Sequence, residues 1–393
     1  MRCIRMPNIQ NINAAGGRAS ISFPLGVTYE KIYFHLGTTG LTKAAISNIV
    51  LKLNNKEFQR WAYASDMELF NAYKGNNVTN PSILVFDFTE RAARQEVGMK
   101  LGTVAACQEA GVQSFTLEFD VAPFTLTGGT IPYMFADVEA PSSNRVIQRV
   151  QYQQKAMAAA VQDILYVPFG AQGYQLKRLM VRNTNLSSLK LRRDGVDIYE
   201  DLPVALANAR ELDFGRNPQP AAPLANGALA QSAGGALAAT TYYVRTTWVM
   251  ADGMESTPAP ETNFAVAINN VLNVAAPAGW PIGAIGWNVY VSSATGTETR
   301  QNGNSPLTLG TAWVEPTTGL VAGIALPAGF HVVDFMPDTL LSNALNTAFV
   351  QTGVDAKGQP TTTPVQNLDV RPTTSAADTL SIYTEAFSLN SAL

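Results

Sequence analysis

Alternation of apolar and polar positions, with brief helical spacing between, runs the same course twice along the chain. In the first passage Ser20-Ile21-Ser22-Phe23 alternates as a half-buried strand and stops at Pro24. Tyr29 to Leu36 is rich in β-branched and aromatic residues, and Ile49, Leu51 and Leu53 point to one face of a further strand. Asn54-Asn55 supplies the positive φ angles of a tight hairpin. A helix is predicted over Ser65 to Tyr73. Ser65 and Glu68 have the spacing of a capping box, Met67, Phe70 and Tyr73 share a face, and Gly75 offers a left-handed stop. The strand Ile83 to Phe88, a helical piece from Glu90 to Val97 and the strand Phe115 to Val121 complete the passage.

The second passage opens with strands at Ile164 to Val167 and Leu179 to Val181. Its hairpin turns at Asp194-Gly195, a pair suited to a type I′ turn, and a helix follows over Leu202 to Leu212. Asp201 is the expected cap of that helix, with Pro203 in its first turn. The next strand, Val332 to Phe335, arrives more than a hundred residues late. A helical piece (Thr339 to Leu345) and the strand Thr379 to Glu385 then finish the pattern. Residues 1–142 thus read as one β domain, and 143–217 with 329–393 as a second, interrupted by 218–328.

The interrupting block differs in composition. Across its 111 residues there is no lysine, and its charges are two positive and five negative. Pro218 to Pro223 and Leu326 to Gly329 bound it like linkers. Short strands at Thr241 to Met250, Ile285 to Val291 and Thr311 to Val314, separated by turn signals such as Ala251-Asp252-Gly253, predict a small sandwich. An insertion of this kind costs little when its ends lie close together, because loop-closure entropy grows only logarithmically with length.

Composition narrows the function classes. At 393 residues and 46% apolar the chain suits two or three domains, each with its own core. Sparse charge (15%, net -3) argues against a basic nucleic-acid face, so no specific nucleic acid is expected as a partner. Cys3 and Cys107 have neither a CxxC spacing nor further cysteines to pair with, which fits thiols in a protein made in a reducing cytoplasm. The N-terminus lacks an apolar run of signal-peptide length. Thr262 to Thr297, the longest uncharged stretch, is too rich in Pro, Gly and Asn for a membrane helix.

Candidate chemistry is thin. His35 and His331 sit in strand patterns with no Ser/Asp or His/Cys cluster nearby, so a structural role fits each better than catalysis or metal binding. Gly128-Gly129 and Gly234-Gly235 lack the Lys or the helix of a phosphate loop. Of the paired acids, Asp194/Asp197 flank a hairpin and Glu200/Asp201 adjoin a helix start. Asp87, Asp120 and Asp334 interrupt apolar strands, and Asp87 and Asp334 occupy the same place in the two passages, before Phe88 and Phe335. They are expected to be outward-facing or hydrogen-bonded, with a divalent cation at a subunit contact as the minor alternative. Arg192-Arg193 and Arg91/Arg94 read as solvated faces. Trp248, Trp287 and Trp313 read as core, whereas Trp280, between Gly279 and Pro281, is suited to an exposed sugar or receptor contact. The sequence therefore predicts no catalytic residue, no cofactor-binding residue and no metal ligand.

Several of these segments, taken in order, resemble the major capsid protein of corticoviruses, the tailless icosahedral bacteriophages with an internal membrane. The resemblance is carried by Met6-Pro7-Asn8, Asn13-Ala14-Ala15-Gly16-Gly17, Ile21 to Gly26, Thr28-Tyr29-Glu30, Leu101 to Val104 and Leu117 to Asp120. In the second half it rests on Val333-Asp334-Phe335, Asn367 to Val370 and Leu380 to Glu385. It implies an all-β tandem double jelly roll, two eight-stranded barrels side by side, with three chains making a pseudo-hexagonal capsomer of the virion shell. The block 218–328 departs from the family. Tyr242 to Arg245, Glu255 to Glu261 and Gly286 to Val291 make it similar to a fibronectin type III or immunoglobulin-like module. The expected partners are further copies of the chain, penton and minor capsid or membrane proteins, the internal lipid membrane at the inner face, and host-surface glycan through the module. The expected place is the virion, assembled in the host cytoplasm. The competing readings are a secreted carbohydrate-active enzyme and a glycan-binding lectin or adhesin. The first needs an export signal and convergent acids, and the second needs glycan binding without the insert.

Overall fold

The computed structural model describes residues 2–38, 40–75, 80, 82–90, 93, 95–125, 128–158, 165–167, 175–183, 185–251, 253–303, 305–327, 329–336, 345–374 and 377–389. Two compact units divide the chain: residues 1–218 with 331–393, and residues 219–330.

The first unit begins with β1 (Arg2–Arg5), β2 (Gly17–Ser22), β3 (Val27–His35), β4 (Ile46–Leu53) and β5 (Lys56–Tyr63). Then come α1 (Ala64–Tyr73), β6 (Ile83–Asp87), α2 (Glu96–Lys100), β7 (Val104–Ala106), β8 (Phe115–Val121) and β9 (Tyr133–Glu139). One sheet has the order β1-β9-β3-β6, with β7 added to β3; the strands β2-β8-β4-β5 form the facing layer. Phe115 sits at the centre of the core between them. Its ring lies 4.7 Å from that of Phe23, 5.2 Å from Tyr29, 6.1 Å from Phe58 and 6.5 Å from Phe88.

The chain continues through β10 (Val146–Met157), β11 (Leu165–Tyr166), β12 (Gln175–Arg182), β13 (Leu186–Arg193), β14 (Val196–Pro203) and α3 (Val204–Asp213). The second unit then supplies β15 (Leu229–Ala233), β16 (Thr240–Met250), β17 (Thr262–Val266), β18 (Asn270–Val274), β19 (Ala284–Ser292), β20 (Thr299–Arg300), β21 (Leu307–Thr308) and β22 (Trp313–Val314). The first unit resumes in β23 (Phe330–Asp334), β24 (Leu345–Asn346), β25 (Phe349–Val354), β26 (Pro360–Pro364), β27 (Leu368–Thr374) and β28 (Asp378–Leu389).

The layers of this second roll are β10-β28-β12-β23 and β11-β27-β13-β14, around Leu179, Val181, Leu189, Leu191, Val370, Leu380 and Ile382. With β7 and the β24–β26 additions set aside, each roll has eight strands. In both, the first, eighth, third and sixth strands form one sheet, and the second, seventh, fourth and fifth form the other. This is the expected double jelly roll. The rolls are also joined edge to edge, because β5 pairs with β10 in parallel at Gln59 and Val150.

Local chemistry repeats with the topology. The fourth and fifth strands turn on two positive-φ residues in each roll, Asn54 (49°) with Asn55 (63°) and Asp194 (51°) with Gly195 (80°). Asp194 also accepts the backbone N–H groups of Gln366 and Asn367 at 2.7 Å, which ties the turn to β27. A ten-residue helix follows the fifth strand in each roll, and Gly75 and Gly215 sit just beyond with positive φ. The caps differ from expectation. α1 starts at Ala64, with Tyr63 in the cap position and no side-chain cap, and Glu68 pairs with Lys43, so the Ser65–Glu68 box does not form. α3 starts at Val204 after Pro203, which leaves Asp201 inside β14. In both cases the strand runs directly into the helix and takes over the residues a cap would need. The Glu90–Val97 helix is shifted to α2, and the predicted helix at Thr339 to Leu345 lies, but for its last residue, outside the described residues.

In the second unit, β15-β18-β22 and β17-β16-β19-β20 share one core in which Trp248, Trp287 and Trp313 are buried. Its acids are largely internal. Glu315 accepts the Tyr242 hydroxyl at 2.6 Å and the Leu272 N–H at 2.9 Å, and Glu255 accepts from Asn288 and Tyr290. Trp280 is 52% exposed. The Gln219 side chain accepts the Phe330 N–H at 2.7 Å, so entry and exit of the unit adjoin.

Replacing Phe115 with Ala is expected to cost about 3–5 kcal/mol of stability, since four rings lose their common neighbour. Denaturant unfolding of the variant against wild type measures this loss.

Candidate functional site

The third strand of each roll carries a β-bulge, and the bulge places a cation between two acids. In β3 the register with β9 shifts between Tyr29 and Lys31, and in β12 the register with β28 shifts between Leu176 and Arg178. Lys31 then stands opposite Asp137 of β9 and Asp87 of β6. Arg178 stands opposite Glu385 of β28, and its Nε lies 2.6 Å from Asp334 of β23. All six residues are buried. The carboxylates Asp87 and Asp334 do the same second job: Oδ1 accepts the N–H two residues on, from Thr89 at 2.8 Å and from Met336 at 2.9 Å. Phe88 and Phe335, next in each chain passage, donate their N–H groups to the bulged residues Glu30 and Lys177.

In the second roll this ionic rung meets the first roll. Glu90 comes from the segment after β6 and accepts Lys177 Nζ at 2.6 Å, Arg178 Nη1 at 2.8 Å and Arg216 Nη1 at 3.0 Å. Arg178 also reaches Glu385 at 3.1 Å, Arg216 reaches Asp334 at 3.4 Å, and Gln148 donates to Glu385. Three cations therefore face three carboxylates with almost no solvent. Burial opposes the Glu90 charge, but Arg178, Lys177 and Arg216 hold its carboxyl well below the usual range. Burial likewise opposes the Arg178 charge, yet Asp334, Glu90 and Glu385 raise its pKa. The α1 residue Tyr73 donates to Glu211 of α3, and the Asn217 N–H reaches the Tyr73 carbonyl, so both helices close over the cluster.

About two turns earlier, α1 docks on the same sheet face. Arg182 Nε is 2.9 Å from Asp66 Oδ1, and Tyr383 donates to Asp66 Oδ2. Tyr383 also accepts the Ala62 N–H at 3.2 Å and stacks on Trp61 at 5.1 Å. The arrangement ties one roll to the other through buried, charge-assisted contacts. Each of the buried cations Lys177, Arg178 and Arg216 meets at least one carboxylate.

Asp87 and Asp334, singled out by sequence, are central to the rungs and pair with cations of the protein. Asp120 lies elsewhere, held by Arg18 at 2.7 Å and by Asn48. Among the described residues no group of three or more His, Cys, Asp or Glu is placed to hold a metal. Asp197 pairs with Lys190 and Arg192, Cys3 and Cys107 are free thiols, and Arg91 and Arg94 lie outside the described residues. His35 stacks on Tyr133 and accepts the Gly37 N–H. His331 is buried against Asn208. The reading from sequence missed Glu90, Lys177, Arg178, Arg216 and Glu385. Lys177-Arg178 and Glu385 each interrupt a strongly apolar strand, the same signal that drew attention to Asp87.

Replacing Glu90 with Gln leaves three buried cations short of an anion and is expected to cost about 3–5 kcal/mol in denaturant unfolding. His331 sets an acid limit. Burial lowers its pKa from 6.5 to about 4, so the folded ring stays neutral where the unfolded chain takes up a proton. Its contribution is whole above about pH 6.5 and is lost as pH falls towards 4. A His331→Gln variant is expected to show a flatter loss of stability across that window, measured as urea midpoints.

Residues 3–134 match the family model described as viral coat protein P2 N-terminal domain. The major capsid protein P2 of bacteriophage PM2 aligns with a TM-score of 0.60 at 12% identity, covering 99% of this chain and 97% of that one. The major capsid protein of Sulfolobus Turreted Icosahedral Virus aligns at 0.48 and 10% identity, covering 98% and 96%. The capsid of the virus PBCV-1 aligns at 0.46 and 9%, covering 98% and 92%. No curated protein matches the chain in sequence. Residues 3–134 are thus similar to the viral coat protein P2 N-terminal domain, and the chain has the fold of the major capsid protein P2 of bacteriophage PM2, a double jelly roll.

Proposed function

We propose that this chain is the major capsid protein of an icosahedral, membrane-containing bacteriophage, and that three copies form a pseudo-hexagonal capsomer. The observation that carries this reading is the duplication. Two rolls of one strand order stand side by side, fixed by a shared sheet and a buried ionic seam. Each chain so contributes two similar blocks to a ring, and three chains supply six. The work of the protein is self-association through preformed surfaces. Its further partners are penton, minor capsid and membrane proteins of the virion and the lipid at the inner face.

The inserted unit is proposed as an immunoglobulin- or fibronectin-like decoration facing outward. Its freedom from lysine and its few positive charges suit a solvent-facing surface, and exposed Trp280 is its candidate contact for host glycan. A virion map with this unit against the membrane overturns the outward placement.

Light scattering of the purified chain is expected to give a mass near three times 42.1 kDa, stable on dilution. A persistent monomer overturns the capsomer reading.

A further inference from the structure

The seam inside one chain is a template for a contact between chains. In the seam, the helix of the first roll covers the outward face of the β10-β28-β12-β23 sheet. The corresponding face of the first roll, on β1-β9-β3-β6, carries the matching rung; α2 reaches one end of this sheet, where Lys100 meets Glu30 and Glu139, and α1 reaches the β6 edge through Asn71. It is rich in half-buried aromatic rings: Tyr33, Tyr133 and Phe135, with His35 stacked on Tyr133 and Arg5 over the same ring. The corresponding helix of the second roll, α3, presents Leu206 (56% exposed) and Leu212 (61%) to solvent, with Phe214 (40%) just beyond its end. Leu202, Leu206, Ala209, Arg210 and Asp213 line a shallow groove along it. Each surface is what the other lacks.

The registers make the correspondence specific. Counted from the rung, Phe135 stands where Tyr383 stands, two residues before the acid of the eighth strand. His35 stands where Arg182 stands, four residues after the cation. Leu206 is the third residue of α3, as Asp66 is the third residue of α1. Within the chain the trio Asp66, Tyr383 and Arg182 is bound by hydrogen bonds and an ion pair. At the open surfaces all three positions change together, to Leu, Phe and His. An exposed Asp at position 206 over Phe135 would lose its water without a partner, whereas Leu over Phe buries apolar area.

We infer that α3 of one copy docks, through Leu206, on the Phe135 face of the first roll of a second copy, repeating between chains the contact that α1 makes within one. The surfaces differ, so the contact is heterologous, and a rotation repeated around three chains closes the ring. This inference rests on the capsomer reading above and adds the two surfaces that meet.

Three variants test it by light scattering at one concentration, with circular dichroism as the fold control. Leu206→Asp, at an exposed position, is expected to reduce the mass from three chains to one with the fold unchanged. Phe135→Glu, on the opposite surface, is expected to do the same by an independent route. The triple variant L206D/F135Y/H35R transplants the internal trio and is expected to regain the trimer. If wild type is itself a monomer, the capsomer reading falls and this inference with it. If wild type is a trimer and L206D and F135E both remain trimers, the inference falls alone. A folded, monomeric triple variant overturns the position-for-position pairing.

Discussion

Everything in the first unit is arranged around Arg178, a guanidinium with no exposure to solvent that is bound by carboxylates from two rolls. Desolvating such a charge costs several kcal/mol, and only close carboxylates with good geometry offset that cost. The offset brings Glu90 from the first roll together with Arg178, Asp334 and Glu385 from the second.

The duplicated bulge explains how two diverged halves keep the same device. A bulge turns a third-strand side chain out of the normal alternation and sets it between the sixth and eighth strands. Lys31 and Arg178 differ in chemistry, as do Asp137 and Glu385, but the sign of charge and the position survive. The Asp that ends the sixth strand also holds the turn beyond it, so one carboxylate serves both the rung and the backbone.

The inserted unit illustrates the opposite principle. Gln219 and Phe330 bring its ends together, and a chain that leaves and returns at one point disturbs its host little. The departure follows Arg216 and Asn217, both bound to the first unit, and the return passes His331, buried against Asn208.

The sequence by itself determined the repeat, the two hairpins, the helix after each and the interrupted second half, because turn residues and alternation act over a few positions. It also marked Asp87 and Asp334, since an acid in an apolar strand stands out. The long strands β10 and β27 escaped notice because Gln-rich and Pro-containing stretches hide alternation, and both helix caps were misread because the strands run straight into the helices. Only the tertiary structure decided which acid meets which cation. Glu90 and Arg178 are 88 residues apart, and their pairing follows from two bulges and the docking of two rolls, which no local pattern encodes. Charge pairing is set by distance in space, and the chain reveals its distances only when folded.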